Sequence, residues 1–241
     1  MPTQGRDDWS NECLMRFPQG AAALALGLVL GAYAIGCSDR VVQPRSTDPG
    51  PAPNSPANAL RLLEWAYNNR SIEPYRRLLA GDFRFACSPA DSAGNEWRGQ
   101  PWTRDDELIF ATHLLIGGGR QPPIGALRLF LDKNFFVFPD PGYLPSDPTG
   151  RWRKNVRTTL TILITTSDGA TSVVTGHANF FLVRGDSAAI ASDLLQQGTR
   201  PDSTRWYLRR WEDETEPSGT PGFAAQPASA LTLCQLRAIY R

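Results

Sequence analysis

The side chains best suited to acid–base chemistry are His113 and His177, the phenols of Tyr75 and Tyr207, and the carboxylates of Asp82 and Asp193. A site of that kind needs an imidazole or carboxylate in a partly apolar pocket, with a tuned pKa and a donor opposite it. His177 is the sharpest candidate, because alternation along Thr171–Arg184 sets it on a face rich in aliphatic side chains. Its plainer reading is a core histidine hydrogen-bonded to a neighbour such as Asn179. His113, near the end of a helical stretch, reads as a favourable charge at a helix C-terminus. Asp82 follows Gly81 and reads as a turn or cap residue. Catalytic candidacy is thus weak for His177, Asp82 and His113. A ligand pocket would draw on Tyr75, His177, Asn179, Trp206 and Tyr207. The four cysteines, Cys13, Cys37, Cys87 and Cys234, are too widely spaced for a C-x-x-C zinc or redox site. With two histidines in the chain, neither a metal nor another cofactor is expected.

The elements that must position these residues begin near Ser55. Ser55 or Asn58 can cap a helix whose apolar positions are Leu60, Leu63 and Tyr67. A second short helix carries Ile72, Tyr75 and Leu79, with Gly81 as its stop. Phe83–Cys87 alternates as a short strand. Thr103-Arg104-Asp105-Asp106 is a capping box opening a third helix, with an expected apolar face of Leu108, Thr112 and Leu115. Strands follow at Ala126–Phe138, Val156–Thr166, Thr171–Arg184 and Thr204–Trp211. A two-residue Asp168-Gly169 turn would join the middle pair, setting Ile164 against Val173, Ile162 against Thr175 and Leu160 against His177. The face with Leu160, Ile162, Ile164, Val173, His177, Asn179, Phe181 and Val183 is expected to meet the helices. Trp206 and Trp211 are expected on opposite faces of their strand. Leu231–Arg241 is short and apolar and is expected to pack back on the domain. Helices followed by antiparallel strands make an α+β pattern.

Upstream, Ala21–Gly36 is apolar and uncharged and ends abruptly at Cys37. It suits an export signal, whose apolar run is about 7–15 residues, better than a span of about 20. Ala34-Ile35-Gly36-Cys37 resembles the lipobox of bacterial lipoproteins, with Ala34 where that family usually has Leu. The resemblance implies cleavage before Cys37 and a diacylglycerol on its thiol. Asp7, Asp8 and Glu12 suit a signal's start poorly, and initiation at Met15 would give a basic start and leave Cys13 outside the protein. Ser38, with no Asp there, leaves sorting to the outer membrane open. Residues 1–36 are therefore read as signal peptide and 37–57 as lipidated cysteine and tether. Five prolines crowd the stretch Val41–Asn58, which at about 3.1 Å per residue reaches at most about 55 Å. The domain is expected from residue 58 to residue 241.

The element order, with Arg205–Asp213 closing it and Leu60–Leu79 opening it, resembles the nuclear-transport-factor-2-like cone fold (SnoaL-like, cystatin-like). In that fold a strongly curved sheet wraps around N-terminal helices. The resemblance implies an interior pocket, used by some members as isomerases, dehydratases or cyclases and by others for binding; fold alone does not choose. With 25 basic and 24 acidic side chains, the chain has no long-range field to attract nucleic acid. Arg205, Arg209 and Arg210 alternate with aromatics, but Glu212, Asp213, Glu214 and Glu216 follow at once, so no nucleic-acid partner is expected. Cys87 and Cys234 could pair in an oxidising envelope, a question for fold geometry. The favoured reading is an envelope lipoprotein, membrane-bound through Cys37, whose domain binds a small apolar ligand or a protein partner without catalysis. The alternatives are an isomerase- or dehydratase-like enzyme and an assembly lipoprotein with a filled core.

Overall fold

The computed structural model describes residues 48–97, 100–144, 146–185, 188–215 and 229–241. The expected signal peptide, Met15, Cys13, Cys37 and most of the tether lie outside them.

Helix α1 spans Pro56–Asn68; Ser55 caps it by accepting from Asn58 N at 3.1 Å, with Pro56 in the first turn. Ala59, Leu60, Leu63, Ala66 and Tyr67 form its buried stripe. The chain before it is already part of the fold: Pro53 is buried, and its carbonyl accepts from Trp206 N at 2.8 Å. The domain therefore begins several residues before the expected boundary at 58. Helix α2, Ile72–Leu78, runs directly into strand β1, Leu79–Ala86. Gly81 is thus inside a strand rather than a helix stop. A Cβ there would lie 3.1 Å from Ala191 Cα, so glycine permits the close approach of that loop.

Helix α3, Arg104–Leu115, starts after the short strand β2, Trp102–Thr103. Its capping box closes as expected, Thr103 N donating to Asp106 Oδ2 and Asp106 N to Thr103 Oγ1. The expected face of Leu108, Thr112 and Leu115 is met in part: Leu115 is buried and Leu108 packs against the core, but Thr112 is exposed. The buried residues are Arg104, Glu107, Phe110, Ala111, Leu114 and Leu115. Charged Glu107 lies within that face, so a count of apolar side chains alone set its centre wrongly.

Five more strands follow in turn: β3 Ile124–Leu131, β4 Phe136–Pro139, β5 Arg153–Thr166, β6 Thr171–Arg184 and β7 Trp206–Thr215. After β7 come β8, Ser229–Leu231, and a terminal helix α5, Leu233–Tyr240. A short helix α4, Ser192–Gln196, lies between β6 and β7. The order is β2-β1-β7-β6-β5-β3, with β4 also on β5 and β8 also on β6. Neighbours run antiparallel except β1 with β7 and β6 with β8. The expected strand Ala126–Phe138 is split in two. Asp132 sits at the break, its carboxylate accepting from Thr158 Oγ1 and Thr159 N on β5 at 3.0 and 2.9 Å. The outer edge of β3 is covered by α1: Asn68 exchanges two hydrogen bonds with Leu129, and Glu64 accepts from Leu131 N.

The β5–β6 hairpin is present, one residue out of the expected register. Gly169 adopts φ +88°, and Thr166 N bonds Ala170 O at 2.9 Å. The loop is therefore the three residues Ser167-Asp168-Gly169, a turn closed by a left-handed glycine. Every pair slips by one: His177 faces Thr159, Gly176 faces Leu160, Val174 faces Ile162 and Ser172 faces Ile164. Such a slip turns each side chain to the other face. Val174, Ala178, Phe180 and Leu182 point into the core, whereas His177 is exposed and Asn179 is half-buried.

A second irregularity corrects the tryptophans. Phe181 pairs with Arg210 but Leu182 with Leu208, leaving Arg209 as an extra residue on β7. This bulge resets the alternation, and Trp206 and Trp211 both enter the main core.

The domain is thus mixed α+β, with a bulged, curved sheet whose inner face packs on α1, α2, α3 and α5. A smaller cluster of Ala80, Val183, Ala189, Ile190, Ala191, Leu194 and Tyr207 lies apart from this core.

Candidate functional site

Two helices each place one charged residue in an otherwise apolar stripe, and the two meet inside the sheet. Helix α5 is capped by Thr232, which accepts from Gln235 N at 3.0 Å, and buries Leu233, Leu236, Arg237 and Tyr240. Arg237 donates from Nε to Glu107 Oε2 and from Nη2 to Oε1, both at 2.9 Å, and neither side chain is exposed. Trp102 Nε1 donates to Oε2 at 2.8 Å, and the Tyr75 hydroxyl donates to Oε1. The Arg237 guanidinium carbon lies 3.5 Å from the Phe85 ring centre and 4.8 Å from those of Phe110 and Trp211.

Glu107 therefore accepts four hydrogen bonds, the full capacity of a carboxylate's two oxygens. With no lone pair free, it cannot take a proton from a substrate in this geometry. Burial, then the neighbouring Glu107 charge, raises the Tyr75 phenol well above its usual pKa, so it stays protonated. Burial works most strongly, against the charge on Arg237, but Glu107, Tyr67 and Tyr75 together outweigh it and the pKa is raised. The centre is locked by charge and hydrogen bonds and sealed by aromatic rings.

A second buried group lies beside it. Cys87 and Cys234 form a disulfide, joining the end of β1 to α5. Next to it Asp91 and Asp213 are both buried, and together with the Cys234 sulfur they offer atoms within 4.8 Å of one another. That spacing could suit a metal, but the sulfur is committed to the disulfide and only two carboxylates remain. Burial pushes Asp213 up to about 6, against the lowering effect of the bonds from Thr215.

The candidates read from the sequence do not converge. Tyr75 and Trp206 face the main core, and Tyr207 belongs to the smaller cluster. His177 is on the outer face, and Asn179 there donates to Glu214 Oε1 at 2.6 Å. Asp82, also on the outer face, pairs with Arg209 at 2.7 Å. His177 and Asp82 are held against β7 five residues apart, at Glu214 and Arg209, which is about 16 Å of strand. His113 Nδ1 meets Tyr240 O at 2.9 Å, tying α3 to the end of α5. Asp193 clamps Arg76 and Arg104 at 2.6 and 3.1 Å in a polar cleft of about 690 Å³. Burial opposes its charge, yet the two arginines hold the carboxyl below its usual pKa.

Glu107, Arg237 and Asp213 were missed. The signal for the first two was present: a single carboxylate at 107 in the stripe 107, 110, 111, 114, and a single arginine in the stripe 233, 236, 237, 240. Opposite charges isolated on two apolar faces can be buried only against each other.

No family model matches this sequence and no curated relative does. Among solved structures, the chain is similar to a conserved protein from Planctomyces limnophilus, at 13% identity over 67% of this chain and 94% of that one, TM-score 0.44. It is also similar to a nuclear-transport-factor-2-like superfamily protein from Salmonella enterica, at 9% identity over 69% and 90%, TM-score 0.40. A third is ActVI-ORFA from Streptomyces coelicolor, at 15% identity over 66% and 92%, TM-score 0.39. A likeness at these scores says nothing about chemistry.

Proposed function

We propose that this chain is an exported lipoprotein, anchored through Cys37, whose domain of nuclear-transport-factor-2-like cone type binds a protein partner and does not catalyse a reaction. The family part of the reading is supported by the element order, helices first and then the curved sheet closed by β7. Export is supported by the apolar stretch ending at Cys37 and by the Cys87–Cys234 disulfide, since disulfides persist in oxidising compartments.

The binding part rests on one observation above all. The aromatic side chains of β4 face solvent: Phe136 is 74% and Phe138, two residues along on the same strand, 53% exposed. Contiguous exposed apolar groups of this size mark interaction surfaces. Of the two occupants expected, a protein partner suits this surface better than a small apolar ligand, because the interior is packed with rings and both described clefts are lined by charged side chains.

Two measurements test the reading. Cells expressing the full chain are fed an alkyne analogue of palmitate; wild type should be labelled and Cys37→Ala should not, and label persisting in the variant removes the anchor. A photo-crosslinking residue at Phe138 should give a discrete adduct that Phe136→Asp abolishes. A diffuse smear, or an adduct indifferent to Phe136, would sink the docking role of β4.

A further inference from the structure

The outer face of the sheet carries a cleft of about 330 Å³ where β1, β7 and the loop after β4 meet. Asp82 and Arg84 enter it from β1, alternating with Phe83 and Phe85, which face the core. Arg209 and Arg210 enter from β7, and Tyr143 from the loop. Arg84 and Arg210 are direct register partners on adjacent strands. Like charges placed opposite one another destabilise a sheet, so this arrangement needs an offsetting anion.

The carboxylates present supply it only in part. Asp82 is taken by Arg209, which also donates to the Tyr143 hydroxyl at 3.0 Å. Asp140 is buried and caps its own loop, accepting from Gly142 N at 2.9 Å. Glu212, on the same strand, pairs with Arg210 Nε at 3.2 Å. Arg84 makes no ion pair among the described residues; its Nη1 donates to the carbonyl of Phe83 at 2.8 Å. The Arg210 guanidinium lies over the Phe181 ring, its carbon 3.7 Å from the ring centre, which restricts where it can point.

We propose that this cleft binds a phosphate-type oxyanion, bridged between the Arg84 and Arg210 guanidinium groups. Planar guanidinium donors match the oxygen spacing of such an anion, and two guanidinium groups facing one opening suit a tetrahedral oxyanion better than a single carboxylate. The volume leaves room for a small organic group esterified to the phosphate, with the Tyr143 ring beside it. The site stands independently of the lipid anchor and of docking at β4.

Titration calorimetry of the full-length chain in non-ionic detergent, at low ionic strength, tests the assignment with inorganic phosphate, glycerol 3-phosphate and acetate as probes. Both phosphates should bind at one saturable site, and Arg84→Gln and Arg210→Gln should each weaken binding by roughly tenfold or more. In phosphate-free buffer Arg84→Gln should not lower the Tm, because removing the unpaired one of two facing cations relieves repulsion; a merely structural role would lower it. Tighter binding of glycerol 3-phosphate assigns the anion to an ester headgroup, and tighter binding of inorganic phosphate assigns it to the free ion. Absence of binding, wild-type affinity in both variants, or acetate binding as tightly as phosphate overturns the proposal.

Discussion

Glu107 on α3 and Arg237 on α5 form a two-pronged ion pair, 2.9 Å at each contact, with neither side chain exposed. Its desolvation is large, so the pair is a device for matching two helices more than a source of net stability. Glu107→Ala leaves a guanidinium buried and unpaired and should cost about 3–5 kcal/mol in urea unfolding. The double variant Glu107→Leu with Arg237→Met should recover most of that loss. A single variant within about 1 kcal/mol of wild type would show that water reaches the pair and dissolves this account.

Asp213 gives stability a pH dependence of known sign. Burial pushes its folded pKa up to about 6, above an unfolded value of about 3.9. The native state therefore binds the proton more tightly. The resulting stabilisation is complete below about pH 4 and is lost as pH rises through about 6, a change of about 3 kcal/mol. Asp213→Asn can still accept from Thr215 N and should flatten this decline. If its unfolding free energy falls with pH as in wild type, another group is responsible.

The Cys87–Cys234 bond closes a loop of sequence separation 147. On the chain-entropy account, opening a loop of that length costs about 5 kcal/mol. The double Cys87→Ala, Cys234→Ala variant should melt well below oxidised wild type and become insensitive to reductant. Equal Tm values with and without reductant in wild type would contradict a formed bond.

Gly176 on β6 adopts φ +150°, and a Cβ there would lie 2.6 Å from Thr215 Cα and 2.9 Å from Glu214 O. Both atoms are backbone and cannot move aside cheaply. Gly176→Ala should cost about 2 kcal/mol or more and speed amide exchange along β6 and β7. Gly169→Ala meets nothing within 4 Å and should cost only its backbone strain, about 1 kcal/mol. The reverse ranking would refute the steric account.

Much of the scaffold was legible in the chain itself. The cap at Ser55, the box at Thr103–Asp106 and the span of β6 follow from local chemistry: a hydroxyl or carboxylate reaching nearby amides, and alternation between a wet and a dry face. Register was less legible. Asp168-Gly169 marks a hairpin, but a two-residue and a three-residue loop share that dipeptide, and only the tertiary register at Thr166–Ala170 separates them. That single step moved His177 from the expected core face to solvent. The bulge at Arg209 was likewise silent, because an extra residue in a strand has no compositional signature. It brought Trp206 and Trp211 onto one face.

Taken alone, the sequence determined the α+β order, the helix caps and the apolar run before Cys37, since each depends on residues within a turn or two of one another. The tertiary structure decided which charges are buried. Glu107 and Arg237, 130 residues apart, each stand as a lone charge in an apolar stripe. They can leave water only when folding sets each as the other's counter-ion, and no local pattern encodes that meeting. The same holds for Arg84 and Arg210, whose unfavourable proximity exists only across two strands far apart in the chain.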